Sequence, residues 1–255
     1  GNPELPTAVN ITWSSINFKT ILQWQPKPSG YFYTVEIHGR TSNTKKKCIL
    51  TAETECDVTD ALRNVTETYT AHILSVAPTE VDNFEEPPFA VSEKFTPYNQ
   101  TLLGKPEIKN YTQKGSTLTV VLQDPLTPYA FPNGSFRSIR DFFQHDLEYK
   151  LYYWKDQSSG KKDETTQSNT FEVHVDSTKN YCFYTQGIIP SRRENRSGQE
   201  SVVLCTSIGR HVLDEYGAEV FIIIAVIAIA VITLATVLTV ILCKRKKTKA
   251  TREMK

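Results

Sequence analysis

The chain has 255 residues, of which 39% are hydrophobic and 22% charged, and its formal net charge is +1. This near-neutral total hides two opposite parts: residues 244–255 carry a net charge of +6, whereas everything before them carries −5. A mainly acidic chain with one short basic end argues against nucleic acid as the partner. No nucleophile, metal-ligand or phosphate-loop motif surrounds the five histidines, so we expect a non-enzymatic protein without cofactor or metal.

The first half of the chain predicts short β-strands. Residues 20–24 form an apolar run that prolines terminate, and residues 31–37 and 68–76 are rich in Tyr, Val and Ile. Pro, Gly, Asn or Ser clusters bound each run, as is usual for strands. Trp24 on an early strand and Tyr69 on a late one suit a fibronectin type III sandwich, in which each sheet contributes a large aromatic residue to the core.

The second half repeats this pattern. Strands are predicted at residues 117–122, 146–155, 171–175 and 181–189. Apolar residues at helical spacing within 136–145 predict a turn or two of helix. A stretch with prolines near both ends, residues 95–106, marks the boundary between the halves. The expected fold is all-β, with two tandem fibronectin type III-like sandwiches at 1–104 and 105–209.

An uncharged apolar run at residues 220–242 predicts a transmembrane helix. It has 23 residues, and its only polar ones are Thr233, Thr236 and Thr239. About 20 helical residues cross the hydrocarbon core, and threonine hydroxyls can bond back to helix carbonyls. Basic residues follow the run and acidic ones precede it, which places the C-terminus in the cytoplasm. We therefore expect a type I plasma-membrane protein with a linker at 210–219 and a tail at 243–255.

The part before the span carries the features of an extracellular protein. No cleavable signal segment is visible in residues 1–20, so Gly1 is expected to be a mature N-terminus. Asn-x-Ser/Thr sequons predict a glycoprotein. They lie at Asn10, Asn64, Asn99, Asn110, Asn133 and Asn195.

Five cysteines divide between the two sides of the membrane. Four precede the span, where an oxidising compartment favours two disulfides, and four cysteines allow three connectivities. Local pairing, Cys48–Cys56 and Cys182–Cys205, is the connectivity we favour. Cys243 at the cytoplasmic edge is a candidate for palmitoylation, and an unmodified thiol is the alternative.

Two basic segments remain. The loop at residues 158–162 is either an ordinary hairpin loop or a contact for acidic lipid headgroups. The cytoplasmic tail is too short for a folded module, so the function is expected outside the cell. A cofactor, a decoy-like binder and an adhesion molecule are the classes that fit.

Long colinear runs of residues resemble a known family. They lie at residues 17–28, 54–60, 95–98, 151–155, 158–162, 180–183 and 189–192. These runs are similar to the tissue factor (thromboplastin) family, which belongs to the class II cytokine receptors. The resemblance implies two fibronectin type III modules with one disulfide each. It also implies a cell-surface receptor and cofactor for coagulation factor VII and VIIa, which promotes activation of factors X and IX on anionic membrane. A ligand-binding chain of an interferon or interleukin-10 type receptor is the alternative, and an adhesion protein is a second one.

The resemblance also implies site residues. The protease-binding face carries over to Lys19, Ile21, Asp57, Phe89 and Phe136. Gln23, Thr44 and Phe131 stand where the family has Glu, Trp and Arg, and Phe89 replaces a Tyr. The substrate-facing exosite carries over to Tyr153, Lys155, Ser159, Gly160, Lys161, Lys162, Tyr181 and Arg196. Ser197 stands where a Lys is expected. With this exosite implied, functional contact through the loop at 158–162 becomes the favoured interpretation.

Overall fold

We analysed a computed structural model of the chain, which describes residues 5–78, 86–208 and 212–252. Within the C-terminal helix, side chains are described for residues 222–245. The chain divides into two units, residues 1–207 and 208–255. The first unit is nearly all β and contains two sandwiches, as the sequence predicts, and the second is helical.

The first sandwich has two antiparallel sheets. In chain order its elements are β1 (Val9–Ile16), β2 (Lys19–Gln25), β3 (Phe32–Gly39), β4 (Lys45–Thr51), β5 (Glu55–Asp57), a 3-10 turn (Thr59–Ala61), β6 (Tyr69–Val76), β7 (Phe89–Val91) and α1 (Pro97–Gln100). One sheet has the order β1-β2-β5 and the other β4-β3-β6-β7. The predicted strands at 20–24, 31–37 and 68–76 correspond to β2, β3 and β6.

The second sandwich repeats this plan with an added hairpin. Its elements are β8 (Glu107–Lys114), β9 (Thr117–Gln123), β10 (Leu126–Ala130), β11 (Phe136–Ser138), α2 (Arg140–Phe143), a 3-10 turn (Gln144–Asp146), β12 (Glu148–Lys155), β13 (Lys162–Thr166), β14 (Thr170–His174), β15 (Tyr181–Ile188), β16 (Ser197–Glu200) and β17 (Leu204–Cys205). The sheets are β14-β9-β8 and β13-β12-β15-β16, with β17 also paired to β15. The predicted helical turn is confirmed at α2, although Phe136 lies on β11.

Each sandwich is held by an aromatic core. Trp24 and Tyr69 are 3% and 2% exposed in the first, which confirms the expectation, and the Trp24 ring meets Tyr33 edge-on at 5.6 Å. Strand β2 alternates strictly, so that Leu22 and Trp24 face this core and Gln23 between them faces outward. In the second sandwich, Tyr149 and Phe183 are fully buried.

The disulfides are Cys48–Cys56 and Cys182–Cys205. The first joins β4 to β5 and therefore links the two sheets of the first sandwich. The second joins β15 to β17 within one sheet. Both cross-links limit the freedom of the unfolded chain.

A two-residue turn of the first sandwich inserts a side chain into the second. Asn17 and Phe18 connect β1 to β2 with φ of 47° and 68°, values that a bulky residue such as Phe rarely adopts. The Phe18 ring is fully buried in the core of the second sandwich, against Phe142 and Phe143 at 4.8 and 5.3 Å. Burial of this ring offsets the backbone strain at the turn.

Hydrogen bonds close the same junction. Arg192, which is 7% exposed, donates to the carbonyl oxygens of Thr101 and Tyr98 at 2.8 Å. Tyr129 donates from the second sandwich to the carbonyl oxygens of Thr59 and Leu62 at 2.9 and 3.1 Å. These contacts tie the two sandwiches to each other at several separate points.

The second unit is the helix α3 (Val212–Arg252). Its segment Ile222–Arg245 is long and apolar enough to cross a membrane, and its side chains are exposed. Thr233, Thr236 and Thr239 donate to carbonyls three residues earlier, as expected. The helix exceeds the predicted span at both ends and includes most of the expected linker and tail, because neither segment contains Pro and both favour helix. Residues 209–211 and 253–255 lie outside the described residues.

Candidate partner-binding face

The exposed side of β2 carries the first group of predicted site residues. Because the strand alternates, Lys19, Ile21 and Gln23 all point away from the core. Ile21 pairs with Asp57 of β5, and Lys19 Nζ lies 2.5 Å from Asp57 Oδ2. Burial opposes ionisation of Asp57, but hydrogen bonds from Lys19 and Thr59 outweigh it and lower the pKa of this carboxyl. The result is an apolar side chain beside a fixed ion pair.

A second group lies on the other sheet of the first sandwich. Phe89 on β7 is 39% exposed and stacks on the His72 ring at 4.9 Å. His72 in turn lies 4.0 Å from His38, whose Nδ1 is 3.0 Å from the Thr44 hydroxyl. Phe89 and Thr44 thus belong to one row that two histidines join. The sequence analysis missed both histidines, because only the register of β3 against β6 places them side by side.

Phe136 is contributed by the second sandwich. It begins β11 at the hairpin β10–β11 and is 57% exposed, the state expected of an apolar contact residue. Phe131, in the same hairpin, is 40% exposed. Lys19 thus contacts Asp57 directly, and Phe89 is linked to Thr44 through His72 and His38. Phe136 is not part of either group.

The predicted exosite is divided by the structure. Six of its residues are exposed: five in or beside the β12–β13 hairpin and one just before β16. They are Lys155, Ser159, Gly160, Lys161, Lys162 and Arg196. Tyr153 and Tyr181 are each only 5% exposed and lie in the core of the second sandwich. Tyr153 is on the inward side of β12, and Tyr181 begins β15, whose first five residues are all buried. These two rings support the surface from beneath.

One lysine of the loop is fixed by aromatic rings. Lys161 Nζ lies 4.8 Å from the centre of the Trp154 ring and 5.1 Å from that of Tyr184. Cation–π contacts of this kind hold an ammonium group without neutralising it. Lys155 Nζ lies 3.6 Å from Asp176 Oδ2. The basic surface is therefore ordered by its own strand residues.

The remaining predicted positions are accessible. All six sequon asparagines are exposed: Asn10, Asn64, Asn99, Asn110, Asn133 and Asn195. Cys243 is a free, exposed cysteine on α3. Within the described residues, no group of three or more His, Cys, Asp or Glu side chains is arranged to hold a metal ion.

Comparison with known proteins places this geometry in a family. A family model described as tissue factor matches residues 1–83, and one described as interferon-alpha/beta receptor, fibronectin type III, matches residues 101–209. The chain is 49% identical to tissue factor from Bos taurus over 81% of this chain and 71% of the relative. It is 41% identical to tissue factor from Rattus norvegicus over 97% and 86%.

More distant relatives share the fold. The interleukin-20 receptor subunit alpha of Homo sapiens is 25% identical over 85% of this chain and 39% of that protein. The crystal structure of the chicken interferon gamma receptor alpha chain superposes with a TM-score of 0.58 at 17% identity, covering 80% of this chain and 98% of that one. The tissue factor relatives, together with the apolar helix that is the only one of its kind among residues 5–78, 86–208 and 212–252, identify a single-pass membrane protein. By its identity to the bovine and rat proteins over most of their length, this chain belongs to the tissue factor family.

Proposed function

We propose that this protein is a plasma-membrane receptor of type I orientation and a non-enzymatic cofactor for coagulation factor VII and VIIa. In this role it promotes activation of factors X and IX on anionic membrane and so initiates blood coagulation. The observation that carries the proposal is the outward-facing patch of exposed Lys19 and Asp57 with half-buried Ile21, in a chain 49% identical to bovine tissue factor.

The protease would bind along the first sandwich and reach the second at Phe136. Ile21, Phe89 and Phe136 supply apolar area, while the Lys19–Asp57 pair supplies polar contacts, the mixture common in binding hot spots. Gln23, on the same side of β2 as Ile21, and Thr44, beside His38, complete the proposed contacts. We take residues 1–104 and 105–209 as the two modules that divide this face between them.

The proposed mechanism is positioning. The membrane anchor holds the protease at a fixed height, and binding biases the protease toward its active conformation by population shift. A substrate docked on Lys161, Lys162 and Arg196 loses less entropy on meeting the protease than one arriving from solution. The exposed loop would also contact anionic headgroups, and a palmitoyl group on Cys243 would strengthen the anchor. No side chain of this chain is assigned to bond cleavage.

The test is factor X activation by factor VIIa in the presence of the full chain in vesicles. With phosphatidylserine in the vesicles, we expect activation to rise by orders of magnitude, and in pure phosphatidylcholine most of this gain should vanish. The absence of any gain with factor VIIa from several species would overturn the proposal.

A matched pair of double variants isolates the exosite. Lys161→Ala/Lys162→Ala should reduce factor X activation while factor VIIa binding is retained. Lys109→Ala/Lys114→Ala removes two exposed lysines from β8, in the opposite sheet, and should leave activation unchanged. Equal losses in both variants would mean that only net charge matters.

A cytokine-receptor function is the second candidate. It is favoured by the interferon receptor model that matches residues 101–209. Binding of a class II cytokine by the chain, together with no effect on factor X activation, would select this alternative.

A further inference from the structure

A cleft of about 540 Å³ lies beside the β10–β11 hairpin. It is lined by Arg63, Pro128, Tyr129, Phe131, Arg137 and Phe142, among others. Arg63 belongs to the first sandwich and the other five to the second. The lining residue Arg137 directly follows Phe136 in the chain, but none of the sequence motifs predicts the cleft.

A half-buried cation, Arg137, forms one side of this cleft. Its guanidinium carbon lies 4.1 Å from the centre of the Phe142 ring and 5.4 Å from that of Phe131. Aromatic faces attract a cation but leave its charge and its N–H donors in place. The Nε of Arg137 is buried, and it has no hydrogen-bond partner within the described part of the chain. The two rings therefore hold Arg137 in a defined position, and its terminal Nη groups are the donors that a ligand in the cleft can reach.

The cleft has a second cation and no balancing carboxylate. Arg63 is exposed at the opposite side, and none of the lining residues is acidic. The carboxylates of the neighbouring strand and turn have other partners: Asp57 pairs with Lys19 at 2.5 Å, and Asp60 pairs with Lys47 at 2.8 Å. Two guanidinium groups with aromatic and proline walls thus face an open volume.

We propose that this cleft receives a carboxylate side chain of the bound protease, flanked on its own chain by an apolar residue. The proposal rests on the proposed function and adds a charged contact to it. Guanidinium groups bind carboxylates through paired hydrogen bonds, and the two Nη groups of Arg137 can form such a pair end-on. The apolar walls favour a peptide side chain over a free phosphate or a lipid headgroup, because Phe131 and Phe142 would pack on its neighbours.

The test measures binding of active-site-blocked factor VIIa to the full chain in phosphatidylcholine nanodiscs. Arg137→Met keeps an unbranched side chain between the two rings but removes the charge. We expect roughly tenfold weaker binding, mainly through faster dissociation, and a few-fold loss for Arg63→Met. Arg193→Met makes the same change at an exposed arginine outside this cleft and should bind like the unmodified chain.

Salt and a conservative variant separate a contact from a packing role. The difference between the unmodified chain and Arg137→Met should shrink as salt rises from about 0.05 to about 0.5 M, because screening weakens charge pairs. Arg137→Lys should recover part of the affinity. Normal binding by Arg137→Met, or a loss that salt does not change, would overturn the cleft proposal while leaving the proposed function intact. No binding by the unmodified chain would overturn the proposed function, and the cleft proposal with it.

Discussion

The junction between the sandwiches and the exposed face of β2 begin one residue apart in the chain. Phe18 is fully buried in the second sandwich, whereas the side chain of its neighbour Lys19 is 56% exposed. The junction is closed by aromatic rings and by the hydrogen bonds of Arg192 and Tyr129, whereas the face of β2 presents exposed Lys19 and Gln23 around a half-buried Ile21. The difference teaches that the junction is built for burial and stability, whereas the face of β2 leaves side chains accessible for the binding proposed above.

The largest expected effect comes from Phe18→Ala at the junction. Removal of a fully buried ring leaves a cavity in the second core, which costs about 3–5 kcal/mol of unfolding free energy. The measurement is denaturant unfolding of the full chain in detergent, followed by tryptophan fluorescence. Phe136→Ala makes the same change at an exposed ring of the proposed contact surface, in the β10–β11 hairpin, and should cost less than about 1 kcal/mol. Equal losses for the two variants would erase the proposed distinction.

Arg192→Met tests the hydrogen bonds of the junction. The change leaves the carbonyl oxygens of Thr101 and Tyr98 without their donor in a buried place, a loss of about 2–3 kcal/mol. The same unfolding experiment measures it. Arg193→Met, at the exposed neighbouring position, serves as the control and should change stability little. A stable Arg192→Met protein would mean that water replaces the guanidinium at the junction.

Ile21→Ala tests the face itself. We expect about 2 kcal/mol weaker factor VIIa binding, since apolar residues at the centre of an interface contribute most of the affinity, with little change in unfolding. Surface plasmon resonance with active-site-blocked factor VIIa measures the affinity. Leu126→Ala removes an exposed leucine outside the predicted contacts and should bind normally. Unchanged affinity for Ile21→Ala would move the binding site away from β2.

The smallest effect concerns pH. Burial and the nearby His38 charge lower the pKa of His72, and the carboxylates of Glu36 and Glu86 only partly oppose this. The unfolded chain therefore binds a proton at His72 more readily than the folded chain does near pH 6. The contribution of His72 to the unfolding free energy should be fully present above about pH 6.5 and be lost as the pH falls below that value. Lys46, which pairs with Glu36, and the uncharged Phe89 complete the surroundings of this imidazole.

Unfolding midpoints between about pH 5 and 8 measure this dependence. His72→Gln should flatten the curve, and His174→Gln, on the exposed side of β14, should not. A His72→Gln protein with the same pH profile as the unmodified chain would show that His72 does not set the pH dependence of stability.

Much of the architecture follows from the amino-acid sequence alone. The alternating strands, the aromatic core positions Trp24 and Tyr69, and the apolar run at 220–242 are all visible as local sequence patterns. Such patterns predict strands, core residues and membrane spans because side chains alternate along a strand and a helix needs a fixed length to cross the membrane. The resemblance supplied the site residues, and of these the structure places Lys19, Ile21 and Asp57 in one patch. Their roles in binding remain predictions.

Only the tertiary structure decided three further features. Phe18 precedes the predicted strand at 20–24, and it adopts a left-handed turn while a core distant in sequence buries its ring. Tyr153 and Tyr181 belong to the predicted exosite but lie inside the second sandwich. The cleft between Arg63 and Arg137 joins residues more than 70 positions apart. Periodicity reports which side of a strand a residue occupies, whereas contacts between strands depend on register and on the packing of one sandwich against the other.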